Sequence, residues 1–257
     1  MCPASGPPEW KAPEWKAPEW KATPMWPPEH ERFADRTAAG RLLGTTVAAH
    51  LRQFPATVTA QTPLVLALPR GGVPVGYTVA EAIGADFDLV ISRKIGLPWQ
   101  ADHGVGAIAE NGPPVFDRSE LACVGLTVSD MTPAVQRERA ELRRRQERYR
   151  GTRPAPDVTG RVVVMVDDGL ATGVTARAAA RALRAGKPAH LVFAAPVCAA
   201  ESVDLLASDV DAVLDIHSPR EFHALGLYYN NFAPLTDAHV AEICTLAWSA
   251  EKVPAPV

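Results

Sequence analysis

The chain has 257 residues, 47% hydrophobic and 21% charged, which suits a globular protein of one large domain or two modest ones and excludes wholesale disorder. With 26 Lys and Arg against 29 Asp and Glu, the net charge of −3 supplies no global positive field to hold a polyanion, so nucleic acid is not an expected partner. Four Cys without a CxxC pair point to a reducing compartment, read as cytoplasmic, and the lack of an apolar stretch of about 18 residues or of a leader-like start speaks against membrane insertion and secretion.

Residues 1–28 stand apart, holding 8 of the 24 Pro and 4 of the 6 Trp, with three copies of Pro-Glu-Trp-Lys-Ala across 8–22. Pro at every fifth position removes a donor and biases its predecessor away from helix, so a disordered tail is expected. Groove docking by Trp10, Trp15 and Trp20 is the alternative. The globular domain is placed at 29–250, with 251–257 as a flexible C-terminus.

From Phe33 the apolar spacing turns helical: Phe33, Leu42, Leu43, Val47, Leu51 and Phe54 share a face and Pro55 ends it. Strands are predicted at 64–68, 87–91, 162–166, 191–195 and 212–216, and helices at 73–83, 133–150, 174–185, 199–207 and 237–249. Continuous Val/Leu/Ile runs imply strands covered on both faces, and strand-helix alternation implies parallel crossovers. The predicted fold is therefore one open, mainly parallel α/β sheet with helices on both faces and a small hood. Thr132-Pro133 reads as a helix start and Gly151 as its stop. The seven Arg and three Glu between them fit a solvated helix held by Val135, Leu142 and Tyr149 better than an acidic-partner surface.

Residues 162–175, Val-Val-Val-Met-Val-Asp-Asp-Gly-Leu-Ala-Thr-Gly-Val-Thr, concentrate the chemistry. The apolar run drives a strand into the sheet, and Gly169 and Gly173 permit a sharp reversal that exposes backbone N–H groups. These are orphan donors at a helix N-terminus carrying roughly half a positive charge, hence a seat for an anion, with Thr172 and Thr175 as further donors. Asp167 and Asp168 would repel a dianion about 8 Å away by a few kcal/mol unless a ribose diol donates to them or hydrated Mg²⁺ neutralises them. A capped strand-to-helix junction explains one Asp and one Gly, but not both acids and both Thr.

Residues 167–175 resemble the motif with which type I phosphoribosyltransferases bind 5-phosphoribosyl-1-pyrophosphate (PRPP): a buried strand, two acids and a Gly/Thr-rich turn. A P-loop would need Lys after its last Gly, where Val174 stands. The resemblance implies that Asp167 and Asp168 bind the ribose hydroxyls and steady the cationic ring. Ala171, Thr172, Gly173, Val174 and Thr175 would hold the 5′-phosphate, with Mg²⁺ arriving through PRPP and water rather than on protein ligands.

A second junction, residues 64–74, carries Arg70, Gly71 and Gly72. The glycines admit backbone donors close to a phosphate and the Arg offers a charged fork. In the resembled family the corresponding loop holds pyrophosphate. After 87–91 come Ser92-Arg93-Lys94-Ile95-Gly96-Leu97-Pro98-Trp99, with two cations at the edge where ligands of open α/β sheets gather. The resemblance implies a loop that moves over PRPP, with Arg93 or Lys94 neutralising the departing pyrophosphate.

Residues 104–109 spell GxGxxA but follow a polar loop and read as a strand, so no nicotinamide site is expected, and Glu110 at their end is a weak candidate. The seven His show no metal-binding spacing. Segments 216–222 and 226–232 gather aromatics that either roof an acceptor base or plug the sheet edge. With the start at 33–40, they extend the resemblance over about residues 30–245, toward bacterial phosphoribosyltransferase-domain proteins that lend no acceptor.

The expected function is Mg²⁺-dependent transfer of phosphoribose from PRPP to a nitrogenous base or similar nucleophile, carried by Asp167, Asp168 and Lys94. PRPP and a small-molecule acceptor are the expected partners, with a homodimer left open. The competing expectation is a PRPP- or nucleotide-sensing regulator without turnover, using the basic helix as its output surface.

Overall fold

The computed structural model describes residue 27 and residues 32–55 and 61–250; the Trp repeats at 8–22 and the segment 251–257 lie outside the described residues. Five strands, β1 (Leu64–Ala67), β2 (Asp86–Leu89), β6 (Val162–Val166), β7 (His190–Ala194) and β8 (Ala212–Leu214), form a parallel sheet in the order β2-β1-β6-β7-β8. Register pairs Val65 with both Phe87 and Val164. Strand order reverses between β1 and β6, so the carboxyl ends of these two neighbours form the crevice where open α/β sheets bind ligands.

Alternate residues of each strand serve opposite faces. Val65, Ala67, Val164 and Val166 pack with helices α1 (Arg36–Leu51), α2 (Gly72–Ile83) and α7 (Asp237–Ala250). Leu64, Leu66, Val163 and Met165 pack with α5 (Val174–Ala185) and α6 (Ala200–Leu206). Every residue of β1 and β6 is buried, which explains why these strands carry no polar alternation. Each such side chain contributes about 1.5–3 kcal/mol relative to exposure.

The expectation of one sheet needs correction. Three further strands, β3 (Ser92–Leu97), β4 (Gln100–Ala109) and β5 (Val115–Phe116), form a separate antiparallel sheet. The residues read as a mobile loop are therefore strand β3. Ile95 and Leu97 are buried and join the core that holds Leu142 of helix α4 (Thr132–Arg150) and Leu121 of α3 (Arg118–Cys123), which gives β3 its reason to be a strand. At its bulge a Cβ on Gly96 would overlap the Ala101 carbonyl, so only glycine fits.

Two helix starts and the buried stripe of α4 also differ. Phe33 precedes α1 and pairs with Tyr229 in an isolated bridge, and Asp35 caps the helix by accepting from Ala38 N at 2.8 Å. Thr132 is the first residue of α4 and not its cap; its hydroxyl donates to the Ser129 carbonyl at 2.8 Å. The buried stripe of α4 holds Leu142 and Tyr149 as read, but Ala134 and Arg150 join them while Val135 is only half-buried. Among the described residues no helix is long and apolar enough to cross a membrane.

Candidate active site

The two glycine-bearing junctions meet at the β1/β6 crevice. A Cβ on Gly71 would overlap the Asp168 carboxylate, and one on Gly72 would come within 2.8 Å of the Asp167 Cα. The absence of side chains at both positions lets the first turn lie directly against the two acids. Beyond them the backbone reverses: Ala171 and Thr172 are exposed, Val174 and Thr175 half-buried, and Gly173 takes the left-handed φ of +71° that glycine tolerates. Gly173 caps α5 without a side-chain acceptor, so the helix presents its first N–H groups beside an open turn. Ser202 fastens the turn by donating to the Ala171 carbonyl.

The acids are not equivalent. Asp168 is buried, and its Oδ2 accepts from Arg36 Nε at 2.8 Å. Asp167 accepts from the backbone N–H of Asp168 at 2.8 Å. Burial, followed by the neighbouring Asp168 charge, raises the Asp167 carboxyl well above the usual carboxylate range. Tyr229 donates its hydroxyl to the Asp168 carbonyl at 2.6 Å, and burial pushes that phenol up, so it stays a neutral donor.

The other expected site residues divide. Arg70 is about half exposed, and its guanidinium lies 3.8 Å from Asp237 of α7. Lys94 lies opposite Ala107 in the β3–β4 ladder, and Ala107 packs on Val174 and Ala178 of α5. Directly opposed residues share a sheet face, so Lys94 stands on the face turned toward the start of α5. Arg93 is on the other face and forms an ion pair with Glu138 of α4 at 2.8 Å. The structure therefore groups Gly71, Gly72 and residues 167–175, places Lys94 on the adjoining face, and pairs Arg70 with Asp237 and Arg93 with Glu138.

Glu110 is part of the core. It receives Arg150 Nη1 at 2.7 Å and Nη2 at 3.1 Å, the Ile91 N–H at 3.0 Å and Gln146 at 2.9 Å. The late aromatic segments pack on one another: Phe33, Tyr228 and Tyr229 are buried in one cluster with Phe222, Leu225 and Phe232. The cluster lies against the 167–175 turn, with Leu225 seated so closely over Gly169 that a Cβ there would overlap it.

Sequence reasoning missed Arg36, and read Tyr229 and Phe232 only as part of an aromatic segment without their contacts to Asp168 and Arg36. Arg36 also lines a cleft of about 310 Å³ together with Asp35, Asn231, Ala233, His239 and Glu242. The available signal was a cation at the first position of a helix, a place the helix dipole disfavours.

Comparison with known proteins agrees with this architecture. A model of the phosphoribosyl transferase domain matches residues 41–225. Proteins of two Mycobacterium tuberculosis strains, provisionally named phosphoribosyl transferases, are 37% identical over 208 residues, covering 81% of this chain and 45% of theirs. The chain thus spans less than half the length of the curated relatives it matches. The crystal structure of TT1426 from Thermus thermophilus aligns with a TM-score of 0.68 at 36% identity, over 83% of this chain and 97% of that one. On the extent of the domain match and these identities, the chain belongs to the phosphoribosyl transferase domain family.

Proposed function

We propose that the chain transfers the phosphoribosyl group of PRPP to a nitrogenous base or similar small nucleophile and releases pyrophosphate. The observation that carries this reading is the apposition of Gly71 and Gly72 to Asp167 and Asp168, which brings the glycine turn read as a pyrophosphate seat against the two acids read as ribose acceptors. Asp167 and Asp168 bind the ribose hydroxyls and Asp168 lends its charge to the sugar as it becomes cationic. Ala171, Thr172, Gly173, Val174 and Thr175 seat the 5′-phosphate at the α5 N-terminus. Arg70 and the Gly71–Gly72 backbone receive the pyrophosphate, with Lys94 as the cation of the adjoining hairpin.

In the reaction the acceptor nitrogen forms a bond to the anomeric carbon while the bond to pyrophosphate breaks, the leaving group takes the electron pair, and the acceptor gives up its proton. Such a displacement needs positioning and electrostatics rather than a covalent enzyme intermediate. The donor set fits Mg²⁺ only in hydrated form: among the described residues no three His, Cys, Asp or Glu cluster, and one oxygen of Asp168 is already bound by Arg36. When bound with PRPP, the ion supplies charge neutralisation at the pyrophosphate oxygens. The cleft beside Arg36 is of a size that holds a small acceptor. Free thiols at Cys123, Cys198 and Cys244 suit a reducing cytoplasm.

Calorimetric titration of PRPP with Mg²⁺ into the wild type and into Asp167→Asn/Asp168→Asn tests the reading, followed by a pyrophosphate-release screen over bases. The double variant is expected to bind at least tenfold more weakly, about the effect of losing one charge-assisted bond. Equal binding by both proteins removes the acids from the site. Tight binding without pyrophosphate release over any base favours the sensor.

A further inference from the structure

Arg36 opens α1 with no acid in the first turn to offset its charge, and Asp35 is occupied by capping the Ala38 N–H. The guanidinium is instead held from three sides. Nε donates to Asp168 Oδ2 at 2.8 Å, Nη1 donates to the Ala233 carbonyl at 3.0 Å, and the group lies 3.9 Å from the centre of the Phe232 ring. The Arg36 and Asp168 side chains are only 11% and 12% exposed, so salt and water screen the pair weakly. Phe232 stacks on Tyr229, whose hydroxyl fixes the Asp168 backbone. One aromatic segment thus secures both the acid and its cation.

We infer that Arg36 is the positioning residue that holds the Asp168 carboxylate in place, aimed at the ribose hydroxyls. The inference rests on the PRPP reading of the turn and names how one acid of the pair is made fit for it. A cation hydrogen-bonded to a carboxylate favours its charged form and fixes its orientation. An Arg suits the position because its fork reaches the carboxylate and a carbonyl at once while its plane lies on an aromatic ring. The titratable or charged groups facing Asp168 are Asp167, Arg36 and Tyr229, with the buried Cys198 thiol beyond Asp167.

The experiment is calorimetry of Mg²⁺–PRPP across about pH 5 to 9 with the full-length wild type, Arg36→Lys, Arg36→Ala, Asp168→Asn and the Arg36→Ala/Asp168→Asn pair. Arg36→Ala is expected to weaken binding by about tenfold or more at neutral pH and to move the acid limb of the affinity profile upward by about one pH unit. Arg36→Lys should restore the limb more fully than the affinity. In the Asp168→Asn background, Arg36→Ala should change little further, since the two act through one contact. Unchanged binding by Arg36→Ala with the wild-type limb overturns the inference, and so does tighter binding, which would make the guanidinium a competitor of the ribose. Should Arg36→Ala fail to fold, Phe232→Leu removes the stacking platform without removing charge; an unmoved limb in both Phe232→Leu and Arg36→Lys then overturns it. A wild type that does not bind Mg²⁺–PRPP defeats the reading of the turn instead, a separate outcome.

Discussion

The chain buries two sets of carboxylates, and they are finished differently. Asp88 and Glu110 meet the Arg150 guanidinium in the core, with side-chain exposures of 1%, 7% and 3%. Arg150 binds Glu110 through two nitrogens, Asp88 through Nε at 3.1 Å and the Leu89 carbonyl at 2.6 Å, so its donors are spent on protein. Asp167 and Asp168 have one cation between them, at Asp168, and stand beside a turn with exposed Ala171 and Thr172. A saturated network has nothing left to offer a ligand and serves the fold. An acid pair short of donors, next to unused backbone N–H groups, is where a diol and a phosphate gain most.

The difference is sharpest in stability. Arg150→Ala strips the buried Glu110 of its cation and leaves Asp88 only Arg153, at 3.2 Å, and should cost about 3–5 kcal/mol, a large share of the margin of a domain this size. A urea titration reads it, and a midpoint within error of the wild type would show that the core network is not what separates the two regions. The double Asn substitution at 167 and 168 relieves the crowding of two acids but leaves Arg36 without its carboxylate, so it should move that midpoint less than Arg150→Ala does. Gly71→Ala comes next. Its Cβ overlaps the Asp168 carboxylate, which Arg36 keeps from swinging away, so Mg²⁺–PRPP affinity should fall by about tenfold or more and stability by about 1–3 kcal/mol. Gly169→Ala also overlaps a neighbour, but that neighbour is the tip of Leu225 and can shift, so the smaller loss of affinity belongs there.

How each region could be read from the sequence follows from where its partners lie. The central strands were legible to within a residue or two because β1 and β6 are covered on both faces and carry apolar residues alone. The 167–175 turn was legible because both acids, both glycines and both Thr sit within nine residues, so a local reading captures the chemistry. Arg36 was not, since it is 132 positions from Asp168 and reaches it only after Phe33 and Tyr229 bring two distant segments together. Glu110 looked like an isolated acid because Arg150 lies 40 residues on, in a helix whose charge pattern reads as solvated. Strand β3 was mistaken for a loop because Ser92, Arg93 and Lys94 break the apolar run, and the ladder with β4 that makes it a strand is a tertiary fact.

A smaller effect separates the acids by pH. The folded protein holds the Asp167 proton more tightly than the unfolded chain does, so this group's contribution is most favourable where it is protonated. It declines as pH rises from the ordinary carboxylate range through the raised folded value. Asp167→Asn abolishes that decline. Relative to the wild type, it should melt a few degrees higher at about pH 8 and be indistinguishable at about pH 4. A variant that melts lower throughout would mean that the Asp167 carboxylate, like those of the core network, is satisfied within the fold.

The smallest effect belongs to the outer face of α4, where the same Arg/Glu chemistry meets water. Glu141 receives Arg144 through two nitrogens at 2.7 and 2.8 Å and Arg145 at 3.1 Å. The Arg144 hydrogen bonds lead in lowering its carboxyl to about 2, with burial opposing and Arg145 assisting. A depressed acid stabilises above its ordinary titration range and loses that contribution as pH falls toward about 2, so any effect of Glu141→Gln must be sought at neutral pH and should vanish in acid. Arg144 is half exposed, its helix neighbours compete for the same carboxylate, and salt screens them all. The neutral-pH melting shift should therefore lie near the limit of detection and disappear in about 0.5 M salt. A shift rivalling that of Arg150→Ala would show that short Arg–carboxylate geometry, and not exclusion from water, sets the strength of these pairs.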